Sequence, residues 1–179
     1  MPAELIQLVP LSTIAPARVE ALLDAAFGAD RHGRTAYRIR QGVAAIDAMS
    51  FAALEGDELL GTIQAWPVVV SDGETAQPLA LVGPVAVMPH TQGMGIGKAL
   101  MERLLDAADA GASDAMVMIG DPEYYGRFFG FTAEATAGWD VPGPVERHRL
   151  LARIRRKAPL LTHGMLGPDP AFASRAAAA

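Results

Sequence analysis

Residues 82–100 read VGPVAVMPHTQGMGIGKAL, and this stretch decides how we interpret the fold. A valine-rich segment runs directly into a loop in which Gly93, Gly95 and Gly97 alternate with other residues. Each glycine gives up side-chain packing and loses more conformational freedom on ordering than any other residue. We therefore expect a partner that needs bare backbone at this point of the chain.

The segments on either side alternate between helix-like and strand-like patterns. Apolar residues at helical spacing, or short turn-bounded runs, predict helices within residues 15–27, 33–42, 98–112 and 121–129. Apolar runs and alternating patterns predict strands within residues 3–11, 47–55, 59–70, 79–87 and 114–120, at Gly130–Phe131, and in a last strand within 147–154. The strands at 47–55 and 59–70 flank the turn GDE, which indicates a hairpin. This order predicts a mixed α/β fold.

Composition indicates one globular domain with a loose end. The chain has 179 residues, of which 51% are hydrophobic and 20% charged, as is typical of folded proteins. We expect a single domain over residues 1–158 and a Gly/Pro/Ala-rich, partly disordered extension over 159–179 that ends in the frayed tail ASRAAAA. Neither a signal peptide nor an apolar run of about 20 residues is recognisable, so we predict a cytoplasmic protein without a membrane partner.

The charged and metal-binding residue types narrow the chemistry further. The chain has no cysteine, which excludes a disulfide framework, a thiolate nucleophile and a thiolate metal site. Its four histidines, at positions 32, 90, 148 and 163, have no metal-ligand spacing, so we expect no metal. The net charge of -5 argues against a nucleic-acid partner.

Three ligand-binding patterns compete for the glycine loop. The nucleotide triphosphate pattern G-x-x-x-x-G-K-[ST] fails because Gln92 replaces its first glycine and Ala99 its hydroxyl residue. The dinucleotide pattern G-x-G-x-x-G fails because Lys98 replaces its third glycine. The pattern Q/R-x-x-G-x-G/A is complete, with Gln92, Gly95 and Gly97. In this interpretation, bare backbone N–H groups at the positive end of the following helix would bind an anion. The alternative interpretation is that the glycines only form a tight strand-to-helix turn and bind no ligand.

The third pattern resembles the pyrophosphate-binding loop of the GCN5-related N-acetyltransferases, the GNAT family. Residues 79–145 resemble the core of that family, and GPVAV, GDPEYYGRFFGF and VPGPV are most similar to its YhbS-like branch of predicted acetyltransferases. The N-terminal half agrees with the family only in the order of its elements. The resemblance implies the GNAT acyl-CoA N-acyltransferase fold, a mostly antiparallel central sheet that is splayed between its fourth and fifth strands and flanked by helices.

The resemblance also implies acetyl-CoA as the cosubstrate. Backbone groups of Val85, Ala86 and Val87 would pair with the pantetheine arm as if it were a further strand. The Val87 N–H would polarise the thioester carbonyl and stabilise the oxyanion. The pyrophosphate would be held by the loop residues, with added charge from the last of them: Gln92, Gly93, Met94, Gly95, Ile96, Gly97 and Lys98.

In many members of the family a tyrosine after the fifth strand protonates the departing thiolate, and Tyr125 matches that position. It would also contact the cofactor, and its ordinary acidity is close to that of a thiol. Tyr124 is the neighbouring rival. The branch usually reads YYGRFGF, whereas this chain has one more phenylalanine. When the two motifs are aligned from DPEYY forward, the catalytic tyrosine of the family matches Tyr125. When they are aligned from Gly130 backward, it matches Gly126. A bulge at Phe128–Phe129 would reconcile the two alignments.

The general base is left open. The strand LALVGPVAV has no ionisable residue, and the remaining candidates, besides a chain of water molecules, are Glu55, Asp121, Glu123, His32 and His90. Since there is no cysteine to carry an acyl group, we expect the amine to attack acetyl-CoA directly in a ternary complex.

The sequence thus predicts an acetyl-CoA-dependent N-acetyltransferase that modifies a primary amine of a small molecule or a protein. The alternative is a GNAT-fold acyl-CoA-binding module or sensor without efficient turnover. A different acyl-CoA is a third option, because Ala86, Trp66 and Met88 do not define the size of the acyl pocket from sequence alone. The acceptor is unidentified. Dimers are common in this fold, so a homodimer joined through the C-terminal strand is a further expectation.

Overall fold

The computed structural model describes residues 5–173, which form a mixed sheet with helices. The strands are β1 (Gln7–Pro10), β2 (Phe51–Glu55), β3 (Glu58–Ser71), β4 (Ala76–Val87), β5 (Ala115–Ile119), β6 (Gly138–Asp140), β7 (Leu150–Ile154) and β8 (His163–Pro168). The helices of the α type are α1 (Pro16–Phe27), α2 (Thr35–Ile39), α3 (Ile96–Ala107) and α4 (Pro122–Phe129). The order of strands in the described sheet is β1-β2-β3-β4-β5-β7, with β8 beside β3 and β6 beside β8.

The described residues divide into two compact units, each assembled from three separate segments. The first unit comprises residues up to 32 together with 46–65 and 84–112. The second comprises 33–45, 66–83 and the described residues from 113 onward. Strands β3 and β4 both run from one unit into the other. The expected division into a domain over 1–158 and an extension over 159–179 stays a prediction.

In the first unit, α1 covers an antiparallel meander of β1, β2 and the first half of β3. Pro16 occupies the first turn of the helix, where its missing N–H costs no hydrogen bond. The apolar face of α1 is buried in a cluster with residues from β2, β3 and β4: Ile14, Val19, Leu22, Leu23, Ala52, Leu59 and Ala86. The helical periodicity of residues 15–27 is therefore confirmed, and its apolar face is the one that packs.

On the other side of β3, Gly61 allows α3 to pack directly against the strand. A Cβ atom at Gly61 would lie 2.9 Å from the Ala86 carbonyl oxygen, 2.9 Å from Ile96 Cγ2 and 3.1 Å from Leu100 Cδ1. Real Cβ atoms essentially never approach other atoms within 3.0 Å, so the first two of these contacts exclude a side chain at this position. The first two turns of α3 therefore occupy the space that a side chain at position 61 would need.

In the second unit, β4 meets β5 in the parallel arrangement expected of the fourth and fifth strands. The ladder pairs Ala80 with Met116 and Leu81 with Val117, and it goes no further, although β4 continues in this unit to Gly83 and β5 to Ile119. On its other edge β5 is antiparallel to β7 along its whole length. The predicted mixed α/β fold is confirmed, and the short β4–β5 ladder has the form that a splayed pair takes.

The expectation that residues 147–154 form the last strand is wrong. Strand β8 follows β7, runs antiparallel to β3 from Val68↔Pro168 to Ser71↔Met165, and runs parallel to β6. Gly164 of β8 permits close packing, since a Cβ at this position would lie 2.8 Å from the Ser71 carbonyl oxygen.

Two further strand boundaries differ from the prediction. Residues Asp47–Met49 form a 3₁₀ turn, so β2 begins only at Phe51. The strand expected at Gly130–Phe131 is reduced to an isolated bridge between Thr132 and Ala152, because Gly130 adopts φ +73° and ends α4. The predicted frayed tail lies outside the described residues except for Ala173. Along 5–173, no helix is long and apolar enough to cross a membrane.

We predict that Gly61→Ala destabilises the protein by ~1–3 kcal/mol, the usual cost of forcing an extra methyl group into a packed site. The Ala86 carbonyl is backbone and cannot move aside as a flexible side chain would. Urea unfolding followed by circular dichroism measures the change. Gly33→Ala is the matched control, because Gly33 is exposed, has no atom within 4 Å of a Cβ position and should unfold like the wild type. Equal stability of the two variants would contradict the packing argument.

Candidate functional site

The glycine loop of the first unit adopts a backbone conformation that other residues rarely take. Gly93 has φ +85° and Gly95 has φ +81°, and Gly95 precedes the first residue of α3. No heavy atom lies within 4 Å of a Cβ position at either glycine. Glycine is therefore required at both positions by the positive φ angle and not by neighbouring atoms. The space beside the backbone of Gly93 and Gly95 is open.

The start of α3 leaves a set of backbone donors without intrahelical acceptors. The first helical hydrogen bond runs from the Ala99 N–H to the Gly95 carbonyl, at 3.0 Å. The N–H groups of Ile96 and Gly97 come before it and lie in the positive half of the helix dipole. Such a helix start, preceded by exposed glycine backbone, can bind a phosphate group.

The first turn of α3 lies over the end of β4. A Cβ at Gly97 would be 3.6 Å from Val87 Cγ2 and 3.8 Å from Val85 Cγ1, which is ordinary van der Waals contact. Ala86, between them, is buried in the cluster that packs on α1. The first unit therefore brings together both groups of residues that the sequence assigned to the cofactor, the strand Val85–Val87 and the loop 92–98.

Hydrogen bonds to β3 and a tight turn fix the segment that joins β4 to the loop. The Met88 N–H donates to the Leu60 carbonyl at 2.8 Å. The Thr91 hydroxyl then donates to the Met88 carbonyl at 2.9 Å, and Thr91 is buried. The Met94 N–H donates to the Thr91 carbonyl at 3.3 Å, while the Met94 side chain is 56% exposed. The loop is thus anchored at its start and exposed at its tip.

Lys98 has a partner on its own helix. Its Nζ lies 3.6 Å from Glu102 Oε1, and both side chains are more than half exposed. Exposed pairs of this spacing contribute only a few tenths of a kcal/mol. The ammonium group is therefore held on the helix surface by a weak contact that a phosphate can compete with.

Tyr125 lies in the second unit, on α4. The carboxylate of Asp121 caps this helix by accepting the Glu123 N–H at 3.0 Å. A Cβ at Gly120 would lie 2.7 Å from Cδ2 and Cε2 of Tyr125, so the tyrosine ring rests on the bare backbone of Gly120. Tyr124 meets that ring edge-on, with 4.9 Å between the ring centroids. The two tyrosines thus have different surroundings, and Tyr125 is seated against Gly120, the residue that follows β5.

Burial raises the pKa of Tyr125 from its usual 10 to about 12. The neighbouring Tyr124 and Asp121 push this pKa in the same direction, and Arg149 opposes them. The Tyr125 hydroxyl therefore stays protonated through the neutral and mildly alkaline range. This corrects the expectation, made from the ordinary tyrosine value, that its acidity is close to that of a thiol.

The sequence GRFFGF contains no bulge at Phe128–Phe129. The helix is continuous from Pro122 to Phe129, with Phe129 buried and Phe128 exposed. The Gly130 N–H donates to the Gly126 carbonyl at 3.2 Å, and its φ of +73° ends the helix. Without that bulge the two ways of counting are not reconciled, and the match of Tyr125 to the tyrosine of the family stays a prediction.

The candidate bases are distributed over both units. His90 Nε2 lies 3.1 Å from Glu58 Oε1, both side chains being more than half exposed, and Glu55 is half-buried on β2. His32 is exposed in the first unit, and Asp121 and Glu123 are exposed at the start of α4. Within residues 5–173, no three His, Cys, Asp or Glu side chains are grouped to hold a metal ion.

Two buried polar groups on β3 escaped the sequence analysis. Thr62 Oγ1 and Gln64 Oε1 have no hydrogen-bond partner in the described part of the chain, although Thr62 is fully buried and Gln64 is 8% exposed. Side chains alternate along a strand, so both face away from α3, opposite to Gly61. Buried polar atoms are usually satisfied by water or a ligand, and the first unit therefore keeps hydrogen-bonding capacity on that face.

Comparison with known proteins gives a consistent result. Residues 17–131 match the model of the acetyltransferase (GNAT) family. The N-acetyltransferase YhbS from Escherichia coli, solved in complex with CoA, is 24% identical, with a TM-score of 0.69 over 94% of this chain and 91% of its own. A GNAT family acetyltransferase from Brucella melitensis, solved with acetyl-CoA, is 25% identical, with a TM-score of 0.61 over 94% of this chain and 99% of its own. None of the curated proteins matches this chain in sequence.

The family match covers more than half of the 179 residues and includes the glycine loop and α4. Both solved structures have the same fold over nearly their whole length. The chain therefore belongs to the GNAT family of acetyltransferases.

Proposed function

We propose that this protein transfers an acetyl group from acetyl-CoA to a primary amine of a small molecule or a protein. The observation that carries the proposal is the start of α3, where the open glycine backbone leads into the N–H groups of Ile96 and Gly97, which precede the first helical hydrogen bond. Membership of the GNAT family supports acyl-CoA-dependent transfer in general, and the two similar structures contain CoA and acetyl-CoA. The cytoplasmic location and the homodimer stay predictions.

The proposed cofactor arrangement uses the residues of the first unit. The pyrophosphate binds the loop Gln92–Lys98, whose backbone donors and helix dipole favour negative charge. The pantetheine arm runs along Val85–Val87 and pairs with the strand backbone. The Val87 N–H then donates to the thioester carbonyl oxygen and stabilises the negative charge that develops there.

In the proposed reaction the amine nitrogen attacks the carbonyl carbon of the thioester. A C–N bond forms, the C–S bond breaks, CoA leaves as its thiolate, and the amine gives up one proton. Tyr125 acts as the general acid that supplies a proton to the sulfur, and solvent water returns a proton to its phenolate oxygen. With its pKa raised to about 12, the Tyr125 hydroxyl is a weaker acid than a thiol of about 8.5, so its donated hydrogen bond stabilises the thiolate before full transfer.

The amine proton has no assigned acceptor. Strand β4 has no ionisable side chain, and the candidates Glu55, His32, His90, Asp121 and Glu123 stay open beside a chain of water molecules. The same lack of a base is what favours the alternative, an acyl-CoA-binding module without efficient turnover. Thiol release from acetyl-CoA across a panel of amines separates the two, because only the enzyme releases thiol in an amine-dependent way.

The first test is a thermal-shift measurement with acetyl-CoA, CoA, ATP and NADH in parallel. A ligand at 100 times its dissociation constant stabilises the folded state by about 2.7 kcal/mol, which raises Tm by roughly 5 to 10 °C for a protein of this size. We expect this shift with acetyl-CoA and CoA only. A shift with ATP or NADH alone, or none at all, would contradict the proposed function.

We predict that Gly95→Ala weakens CoA binding at least tenfold, because alanine disfavours φ +81° and turns the loop backbone away from the phosphate. Isothermal titration calorimetry measures the dissociation constant. Gly111→Ala is the matched control, since Gly111 also has a positive φ, of +113°, and no atom within 4 Å of a Cβ position, but lies beyond the end of α3. Similar losses of CoA affinity in both variants would point to general destabilisation and remove the loop from the site.

We predict that Tyr125→Phe lowers kcat at least tenfold and leaves the CoA dissociation constant within twofold of the wild type. Phenylalanine keeps the ring that packs on Gly120 and removes only the hydroxyl. Steady-state kinetics with a responsive amine measures the change, and Tyr124→Phe, on the same helix, should keep kcat within threefold.

The pH dependence provides a second check on the same residue. A general acid works while it is protonated, so a pKa of about 12 predicts that deprotonation of Tyr125 does not lower kcat at pH values up to about 11. An unchanged kcat in Tyr125→Phe would remove this residue from the mechanism. A fall in the kcat of the wild type near pH 10 that is absent from Tyr125→Phe would mean that Tyr125 loses its proton at the ordinary tyrosine pKa. This result would contradict the burial of the Tyr125 hydroxyl.

A further inference from the structure

Trp66, on β3, makes a side-chain hydrogen bond to the backbone of β4 in the second unit. Its indole Nε1–H donates to the carbonyl oxygen of Gly83 at 2.7 Å. The bond is short for an N–H···O contact and joins a half-buried side chain to a main-chain group. The proposed function gives this bond no role.

The hydrogen bond is formed just beyond the point where β4 stops pairing with β5. The parallel ladder ends at Leu81 and Val117, two residues before Gly83. Gly83 has φ +129°, which residues with a side chain rarely adopt, and no atom lies within 4 Å of a Cβ position there. Glycine is therefore needed for backbone conformation, and the peptide that follows the end of the ladder is held by an indole from β3.

The indole is itself held in place by a stack of side chains. The guanidinium carbon of Arg40 lies 3.6 Å from the centre of the Trp66 ring and 4.1 Å from that of Tyr37. Arg40 is only 9% exposed, and a cation over an aromatic face is attracted most strongly when it is removed from water. Arg40 and Tyr37 therefore restrict the orientation of the Trp66 ring and aim its N–H at Gly83.

We propose that Trp66 is a positioning residue for the pantetheine arm of the cofactor, and this inference rests on the proposed function. Pro84 directly follows Gly83, and the stretch Val85–Val87 comes next along the same strand. The Trp66–Gly83 hydrogen bond holds the peptide group from which β4 continues to that stretch. The pyrophosphate loop begins only at Gln92 and has its own anchors at Leu60 and Met88.

This difference yields a test with two ligands. CoA contains the pantetheine arm, whereas 3′-phospho-ADP contains the pyrophosphate without it. Trp66→Phe keeps an aromatic ring for Arg40 and removes the N–H that Gly83 accepts. We expect the dissociation constant of CoA to rise at least fivefold and that of 3′-phospho-ADP to stay within twofold, both measured by calorimetry at 15 °C.

The second tryptophan of the chain provides a matched control. Trp139 is buried in the same unit, and its Nε1 donates to the Leu161 carbonyl, also at 2.7 Å. Trp139→Phe removes an equivalent hydrogen bond from a position with no proposed ligand contact. We expect this variant to lose thermal stability and to bind CoA within twofold of the wild type.

Because the chain has two tryptophans, fluorescence gives an independent readout that does not depend on the control variant folding. We expect CoA to change the emission of the wild type, excited at 295 nm, and to leave that of Trp66→Phe nearly unchanged. A purely structural role for Trp66 would not produce this ligand-dependent difference.

Three results would overturn the inference. The first is a CoA affinity in Trp66→Phe equal to that of the wild type. The second is an equal loss of affinity for CoA and 3′-phospho-ADP, which would indicate general damage to the fold. The third is that the wild type does not bind CoA at all. This result would overturn the proposed function as well, whereas the first two results overturn only the inference about Trp66.

Discussion

The absence of a side chain at Gly61 is the constraint on which the first unit depends. It lets Ile96 and Leu100 of α3 and the Ala86 carbonyl of β4 approach β3 together. Because Ile96 is the first residue of α3, this contact fixes where the bare N–H groups begin. Because Ala86 belongs to the stretch proposed to pair with pantetheine, the same contact also fixes that strand. One missing methyl group thus places both parts of the proposed cofactor site.

Local signals in the sequence predicted this part of the molecule well. The amphipathic pattern of residues 98–112 and the alternating glycines before it specify a helix and its start, and the structure has α3 at Ile96–Ala107. The φ values of Gly93 and Gly95 show why glycine was needed, since neither position is crowded. The role of Gly61 could have been suspected, because an isolated glycine inside a strand pattern often marks a close approach of another element.

Features that depend on the pairing register of distant segments could not be predicted from the sequence. Strand β8 was missed because Gly164 and Gly167 resemble loop residues until a neighbouring backbone is known to pass close to Gly164. The contact of Trp66 with Gly83 requires the pairing of β3 with β4, which composition does not encode. The pKa of Tyr125 depends on how far the ring is buried and on which charges surround it. The unpaired oxygens of Thr62 and Gln64 likewise become evident only once their neighbours are placed.

The interleaving of the two units has a consequence for the order in which the chain can fold. The first unit is complete once residue 112 has been made, whereas the second needs residues that lie up to β8, at 163–168. A ribosome builds the chain from its N-terminus, and domains generally fold as soon as their parts are present. The α1–β2–β3–α3 packing therefore has all its parts while β5 to β8 are still to come. Until those strands arrive, the second half of β3 and the first half of β4 have been made without the neighbours β8 and β5, and exposed strand edges of this kind invite aggregation. The nascent chain is most vulnerable between the completion of the first unit and the arrival of its final strand.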